Sequence, residues 1–222
     1  MKKRLLLLGI LLFVGSTSTK AGSKVLTFSG LQCNEPVANY YNGGFGGDGS
    51  GPGPNYGVTF SSNSLALGDA NTSCNGNFIN EPSAPNILYF LSGTGDVMND
   101  PGGITKGFSF FYSGNEAYGN GSVNIYSGLN GTGTLLASFV VNTSLTPYCG
   151  TGPGYCVWQP DGVSFSGTAE SVVFGGAADF IGFDNITLGS SVAGATPEPS
   201  SLILFGTSLL GLVPFRRKLF GR

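Results

Sequence analysis

An antiparallel β-sandwich of the jelly-roll kind is the fold this sequence predicts, and three observations predict it. Of its 38 glycines, 32 fall within residues 22–190, interleaved with short aromatic and β-branched runs. Several of those runs alternate, so that Phe108, Phe110 and Tyr112 oppose Ser109 and Phe111, and Val123 and Ile125 oppose Asn124 and Tyr126. No window of this region sustains a helical period. Many short strands punctuated by glycine turns make a sandwich or barrel, and a body of roughly 170 residues buries about 70% of its unfolded surface, enough for one two-layer core.

Along the chain the expected strands are Val25–Ser29, Tyr56–Ser61, Ile87–Leu91, Thr105–Tyr112, Ser122–Tyr126, Leu135–Val141, Val163–Phe165, Ser171–Phe174 and Phe180–Leu188. Between the fifth and sixth, Ser127-Gly128-Leu129-Asn130-Gly131-Thr132-Gly133 reads as a hairpin connection, with Asn130-Gly131 supplying positive φ. From Gly43 to Gly57 the run is too rich in glycine and proline for a strand. It is expected to be a mobile surface loop.

The two ends read as addresses. Met1–Lys20 has a basic start, an apolar run from Leu5 to Val14 and then small polar residues, with cleavage expected near Ala21. That is the grammar of a secretory signal peptide, and ten apolar residues are too few to span a bilayer. At the other end Pro197-Glu198-Pro199 precedes an apolar stretch ending at Phe215, and Arg216-Arg217-Lys218 follows at once. The stretch makes roughly 24 Å of helix against a ~30 Å hydrocarbon core, which suits transient retention. The positive-inside rule keeps both sets of cations in the cytoplasm and sends the body across. The chain is thus expected to divide into a signal peptide at 1–21, a β-sandwich body at 22–190, a linker at 191–200 and a hydrophobic helix with basic tail at 201–222.

This three-part tail resembles the PEP-CTERM sorting signal that exosortase recognises in Gram-negative bacteria making extracellular polysaccharide. The resemblance rests on Pro197, Glu198, Pro199, the apolar helix, and Arg216, Arg217 and Lys218. It implies signal peptidase and exosortase as partners during export and cleavage near the triplet. An inner-membrane intermediate held by the helix would then give a product at the cell surface or outside. The body is also similar to a recurring PEP-CTERM passenger domain. The resemblance lies in Tyr40-Tyr41-Asn42-Gly43-Gly44, Asn55-Tyr56-Gly57-Val58-Thr59-Phe60, Phe90-Leu91-Ser92-Gly93, Val123-Asn124-Ile125-Tyr126-Ser127-Gly128, Gly131-Thr132-Gly133-Thr134-Leu135-Leu136-Ala137 and Ile181-Gly182-Phe183-Asp184-Asn185-Ile186-Thr187-Leu188. The last segment resembles the closing strand of galactose-binding-like and other lectin-like jelly rolls. The family brings no biochemical activity with it.

Charge narrows the function further. The formal net charge is −2, yet four cations lie in the first 20 residues and four in the last seven. Residues 22–190 keep Lys24 and Lys106 against eleven carboxylates, a net −9. An acidic body without arginine cannot neutralise phosphates, which argues against nucleic acid. There is no histidine, so Ser-His-Asp or Cys-His catalysis and His-ligated metals are excluded.

Cys33, Cys74, Cys149 and Cys156 form an even set in an exported chain, which predicts two disulfides. Three pairings are available. The Gly/Pro turn between Cys149 and Cys156 favours closing that short loop and leaving Cys33 with Cys74. Zinc is the rival reading, but there is neither CxxC nor histidine to support it.

The acidic surplus invites Ca²⁺, which takes six to eight oxygens. Asp179 and Asp184 would lie on opposite faces of a regular strand and so not share an ion. In lectin-like jelly rolls an acidic residue of the closing strand meets one near the first strands, which makes Glu35, Asp48 and Asp184 the candidate calcium set; solvated carboxylates are the plainer reading. Trp158, Tyr148 and Tyr155 are the candidate rings for stacking on a sugar, with burial of Trp158 against the disulfide or core as the plainer alternative. No ExDxxE pattern of lectin-fold glycosidases is present, and Lys106 sits before a strand rather than in a Schiff-base pocket. The expectation is therefore a non-catalytic exported surface or matrix protein associated with exopolysaccharide. A carbohydrate-binding module with or without calcium is the alternative, and a polysaccharide hydrolase the remote one.

Overall fold

The computed structural model describes residues 22–74, 76–149 and 154–194. The expected signal peptide, the Pro197–Pro199 triplet, the expected sorting helix and the basic tail all lie outside the described residues. Among the described residues no helix is long and apolar enough to cross a membrane.

Twelve strands build the described region. They are β1 (Lys24–Leu26), β2 (Glu35–Pro36), β3 (Thr59–Phe60), β4 (Leu65–Gly68), β5 (Asn86–Tyr89), β6 (Gly95–Ile104), β7 (Gly107–Gly114), β8 (Gly121–Tyr126), β9 (Leu135–Val141), β10 (Gln159–Ser164), β11 (Ala169–Gly175) and β12 (Ile181–Leu188). One sheet runs β10-β7-β12-β5-β4-β2, with β1 also on β12; the other runs β3-β6-β11-β8-β9. All strand pairs are antiparallel. From β5 to β8, and again from β9 to β12, successive strands change sheet, the alternation of a jelly roll.

The alternating runs decide which faces meet. Phe108, Phe110 and Tyr112 of β7 and Phe183 of β12 point inward from the first sheet, and Phe139 of β9 and Phe174 of β11 from the second. Phe110 meets Phe139 edge-on with centroids 5.3 Å apart, and Phe174 lies 4.9 Å from Phe183. Each such ring, fully buried, contributes about 1.5–3 kcal/mol of transfer free energy. Between β8 and β9, Asn130 and Gly131 take φ of 56° and 70°, closing the hairpin as their residue types require.

The strands without an alternating apolar signal escape sequence reading. β6 carries Asp96, Asp100, Pro101, Gly102 and Gly103, yet its inward positions are Asp96, Met98, Asp100 and Ile104. Pairing with β11 and β3 makes it a strand in spite of its composition. β4 is likewise made by pairing with β5 along Leu65–Gly68, and β2 by pairing with β4 at Glu35↔Ala66 and Pro36↔Leu65.

A second apolar layer covers the outside of the first sheet. Leu67, Phe78, Ile87, Tyr89 and Tyr155 form it, with Trp158, Leu65 and Phe180 packed against it. Phe78 stacks on Tyr155 at 4.6 Å, and the backbones of these two residues pair in a short parallel bridge. Gly182 of β12 admits this layer, since a Cβ there would lie 2.8 Å from the Phe78 ring.

Candidate functional site

At one end of the sandwich three connections converge. The β7–β8 turn begins at Asn115, whose Oδ1 accepts the Ala117 N–H at 2.9 Å and so starts the 3-10 turn Glu116–Tyr118. The β11–β12 turn brings Phe180 beside it, and the Asn115 N–H donates to the Phe180 carbonyl at 3.2 Å. Tyr118 then stacks on Phe180, with centroids 3.4 Å apart and planes 10° from parallel. The third connection, from β9 to β10, supplies Tyr148, which stands edge-on to Tyr155 at 5.8 Å and 87°.

Tyr155 is the hub of this end. It is 4% exposed, its ring stacked on Phe78 and edge-on to Tyr148. Burial first, and then the charge of Asp179, hold its hydroxyl above the ordinary tyrosine value. Tyr118 and Tyr148 are each 52% exposed. Two solvent-facing rings, backed by the half-buried Phe180 and the buried Tyr155 and flanked by the amide of Asn115 and the exposed carboxylate of Asp179, can take an apolar sugar face and bond its hydroxyls.

This arrangement divides the rings nominated from the sequence. Only Tyr148 is exposed. Tyr155 is core, and Trp158 is half-buried, its Nε1–H donating to the Ile79 carbonyl at 3.2 Å and its ring 5.8 Å from Phe78. A large ring that finds both an apolar neighbour and a carbonyl for its N–H is satisfied inside. Tyr118 escaped notice because Asn115–Asn120 reads as a polar turn, and only Phe180, supplied by a distant turn, makes it a platform.

The calcium set is not assembled. Glu35 is fully buried, but its carboxylate is filled by main-chain donors: Gln32 N–H at 2.7 Å on Oε2, and Asp48 and Ser50 N–H at 3.0 and 2.9 Å on Oε1. Asp48 is exposed and faces Glu35 with its amide rather than its carboxylate. Asp184 is buried elsewhere, accepting Ser83 N–H and Asn185 N–H, each at 2.7 Å. Its carboxyl is pushed up to about 8, by burial first and also by the charge of Glu81, against the lowering bonds from Asn185 and Ser83. Among the described residues no three His, Cys, Asp or Glu side chains form a group that could hold a metal.

The Gly43–Gly57 segment is an organised loop rather than the loose one its composition predicts. Gly47 N–H bonds the Pro36 carbonyl at 2.8 Å, Gly53 N–H the Gly44 carbonyl at 2.9 Å, and Gly43 N–H the Pro54 carbonyl at 3.2 Å. Glu35 holds its crest from inside. Burial would raise the Glu35 carboxyl, but bonds from Ser50, Gln32 and Asp48 prevail and hold it below the ordinary carboxylate value. The cysteines are joined as Cys33–Cys74 and Cys149–Cys156, with Cα atoms 5.9 and 6.1 Å apart.

Among curated proteins none matches the chain by sequence. Solved structures similar to it include the catalytic domain of a GH87 α-1,3-glucanase in complex with tetrasaccharides, at TM-score 0.36 and 16% identity over 65% of this chain and 30% of that one. A family 11 carbohydrate-binding module from Clostridium thermocellum, in complex with a mixed-linked tetrasaccharide, is similar at TM-score 0.33 and 14% identity, covering 78% and 98%. The K3 adhesin domain of Lys-gingipain from Porphyromonas gingivalis gives TM-score 0.29 and 16% identity over 76% and 89%. The chain spans less than a third of the glucanase's length, and likeness at these scores says nothing of activity. At the C-terminus the comparison is of another kind, a match of sequence to a defined sorting signal. Residues 195–218 match the PEP-CTERM protein-sorting motif, so the chain carries the mark of exosortase-dependent export.

Proposed function

We propose that this is a non-catalytic exported protein whose body serves as a structural or adhesive component of a cell-surface or extracellular polysaccharide matrix. The observation that carries the reading is the sorting motif at 195–218, joined to an acidic body without histidine. On this reading signal peptidase removes residues 1–21, exosortase cuts near Pro197–Pro199, and the body is left outside a Gram-negative cell. Both basic ends are then discarded and a strongly anionic protein remains, soluble among acidic or neutral polymers. Deleting Pro197–Arg222 in a cell that makes exosortase tests it. The expected result is loss of the processed form and a changed distribution between membrane and surface, and an unchanged distribution refutes the sorting role.

A second reading is favoured by Tyr118 and Tyr148. The body binds a neutral glycan at the aromatic end, the rings stacking on pyranose faces and Asn115 and Asp179 bonding hydroxyls. A glycan array including the host's own exopolysaccharide, run on the full chain with and without EDTA, tests this. Binding unchanged by EDTA is expected, because Asn115 and Asp179 beside the rings belong to no cluster of acidic side chains that could hold an ion among the described residues. Absence of binding in both conditions leaves the structural role alone.

A further inference from the structure

The two sheets have five outer strands, and four of them are closed or blunted. The three-residue β1 is too short to template a partner and carries Lys24. At β10 the edge carries Pro160 and Asp161, a missing donor and a charge. The two-residue β2 is covered by the glycine loop, whose Gly47 N–H bonds the Pro36 carbonyl. Beyond β3 the free side is taken by the segment around Ala38–Tyr41, with Phe60 N–H on the Ala38 carbonyl at 2.9 Å. These are the means by which sheet proteins blunt their edges. The remaining edge, β9, has neither proline, nor charge, nor a covering loop among the described residues. It is seven residues long, and among the described residues no loop hydrogen bond reaches it. A register shift near Ile125/Tyr126 bends its start, leaving Ala137–Val141 as a regular ladder against Gly121–Ile125. Alternate N–H and C=O groups of that ladder point away from β8, and Val140 beside them is 68% exposed.

We infer that the β9 edge is a self-association surface, where a second copy of this chain adds its own β9 antiparallel and joins two five-stranded sheets into one. Antiparallel pairing of identical strands is self-complementary, as a two-fold interface requires. Charge points to this occupant. Residues 117–160 contain no charged side chain, in a body that otherwise carries −9. Two such bodies repel nearly everywhere, and this stretch is where they can meet without bringing carboxylates together. The inference is independent of the glycan reading, because β9 supplies none of the rings or polar groups of the aromatic end.

Sedimentation of the full chain in mild detergent, wild type against Val140→Lys and Val140→Thr, tests the inference. Wild type and Val140→Thr are expected to dimerise, while Val140→Lys weakens the dimer about tenfold by placing two lysines across the joint. A monomeric wild type overturns the inference. So does a dimer that Val140→Lys leaves intact, since association through the C-terminal segment would survive that change. Hydrogen exchange on the wild type is a readout that needs no variant: amides of Ala137–Val141 should gain protection as protein concentration rises, and protection that does not change with concentration counts against the β9 joint.

Discussion

Glu35 and Asp48 meet through an amide and not through two carboxylates: the Asp48 N–H donates to Glu35 Oε1 at 3.0 Å. With Gln32 and Ser50 also donating, one buried carboxylate organises the crest of the 43–57 loop. Gly46 lies so close to it that a Cβ there would come within 2.6 Å of the Glu35 Cδ. Glu35→Ala strands these donors and should destabilise the chain by about 1–3 kcal/mol, read as a lower urea midpoint and faster proteolysis within 43–57. Because the folded carboxyl is held below its ordinary value, its contribution is present at neutral pH and lost as pH falls through that folded value. A wild-type midpoint equal to that of Glu35→Ala at pH 7 would show that the loop stands without it.

Asp96 shows the opposite sign. It is 1% exposed on the inward face of β6, and burial pushes its carboxyl up to about 8. Between about pH 4 and 8 the folded chain keeps a proton that the unfolded chain has released. Stability from this group therefore falls as pH rises, by about 1.4 kcal/mol per unit. Asp96→Asn should remove that part of the slope and raise the urea midpoint at pH 8 more than at pH 5. Equal shifts at the two pH values would contradict the assignment.

The aromatic end separates binding from stability. Tyr118→Ala and Tyr148→Ala, at half-exposed rings, should abolish or weaken glycan retention by about tenfold while shifting the thermal midpoint little. Trp158→Ala removes a ring packed on Phe78 and a donor to Ile79, and should cost about 2–4 kcal/mol of stability. Affinity electrophoresis in the host polysaccharide, paired with thermal melts, distinguishes the two effects. Equal loss of binding in all three variants at matched stability would place the site elsewhere.

The two disulfides should differ in weight. Cys33–Cys74 spans a separation of 41 residues and Cys149–Cys156 one of 7. In the chain-entropy account their removal costs about 4 and about 2 kcal/mol respectively. Double Cys→Ser variants compared by urea denaturation check the order, and a larger loss at the short loop would mean that native contacts, not loop entropy, set the difference.

Read alone, the sequence determined where strands with an apolar alternation fall, since Phe108–Tyr112 and Val123–Tyr126 declare their inward faces by period two. It also determined the export address, because a sorting signal is a linear pattern that acts before or apart from folding. Residues 195–218 are legible on those terms. What it could not determine are features made by distant partners. β6 becomes a strand through β11 despite Asp96, Pro101 and Gly102; Glu35 is spent on amides 13 and 15 residues away; Trp158 finds Phe78 and turns inward. Tyr118 becomes a platform only because Phe180 lies beneath it. Composition and period report on local backbone preference and one-sided burial, whereas a carboxylate's partners and a ring's exposure depend on which loops the two sheets bring together, and that is settled only when the sandwich closes.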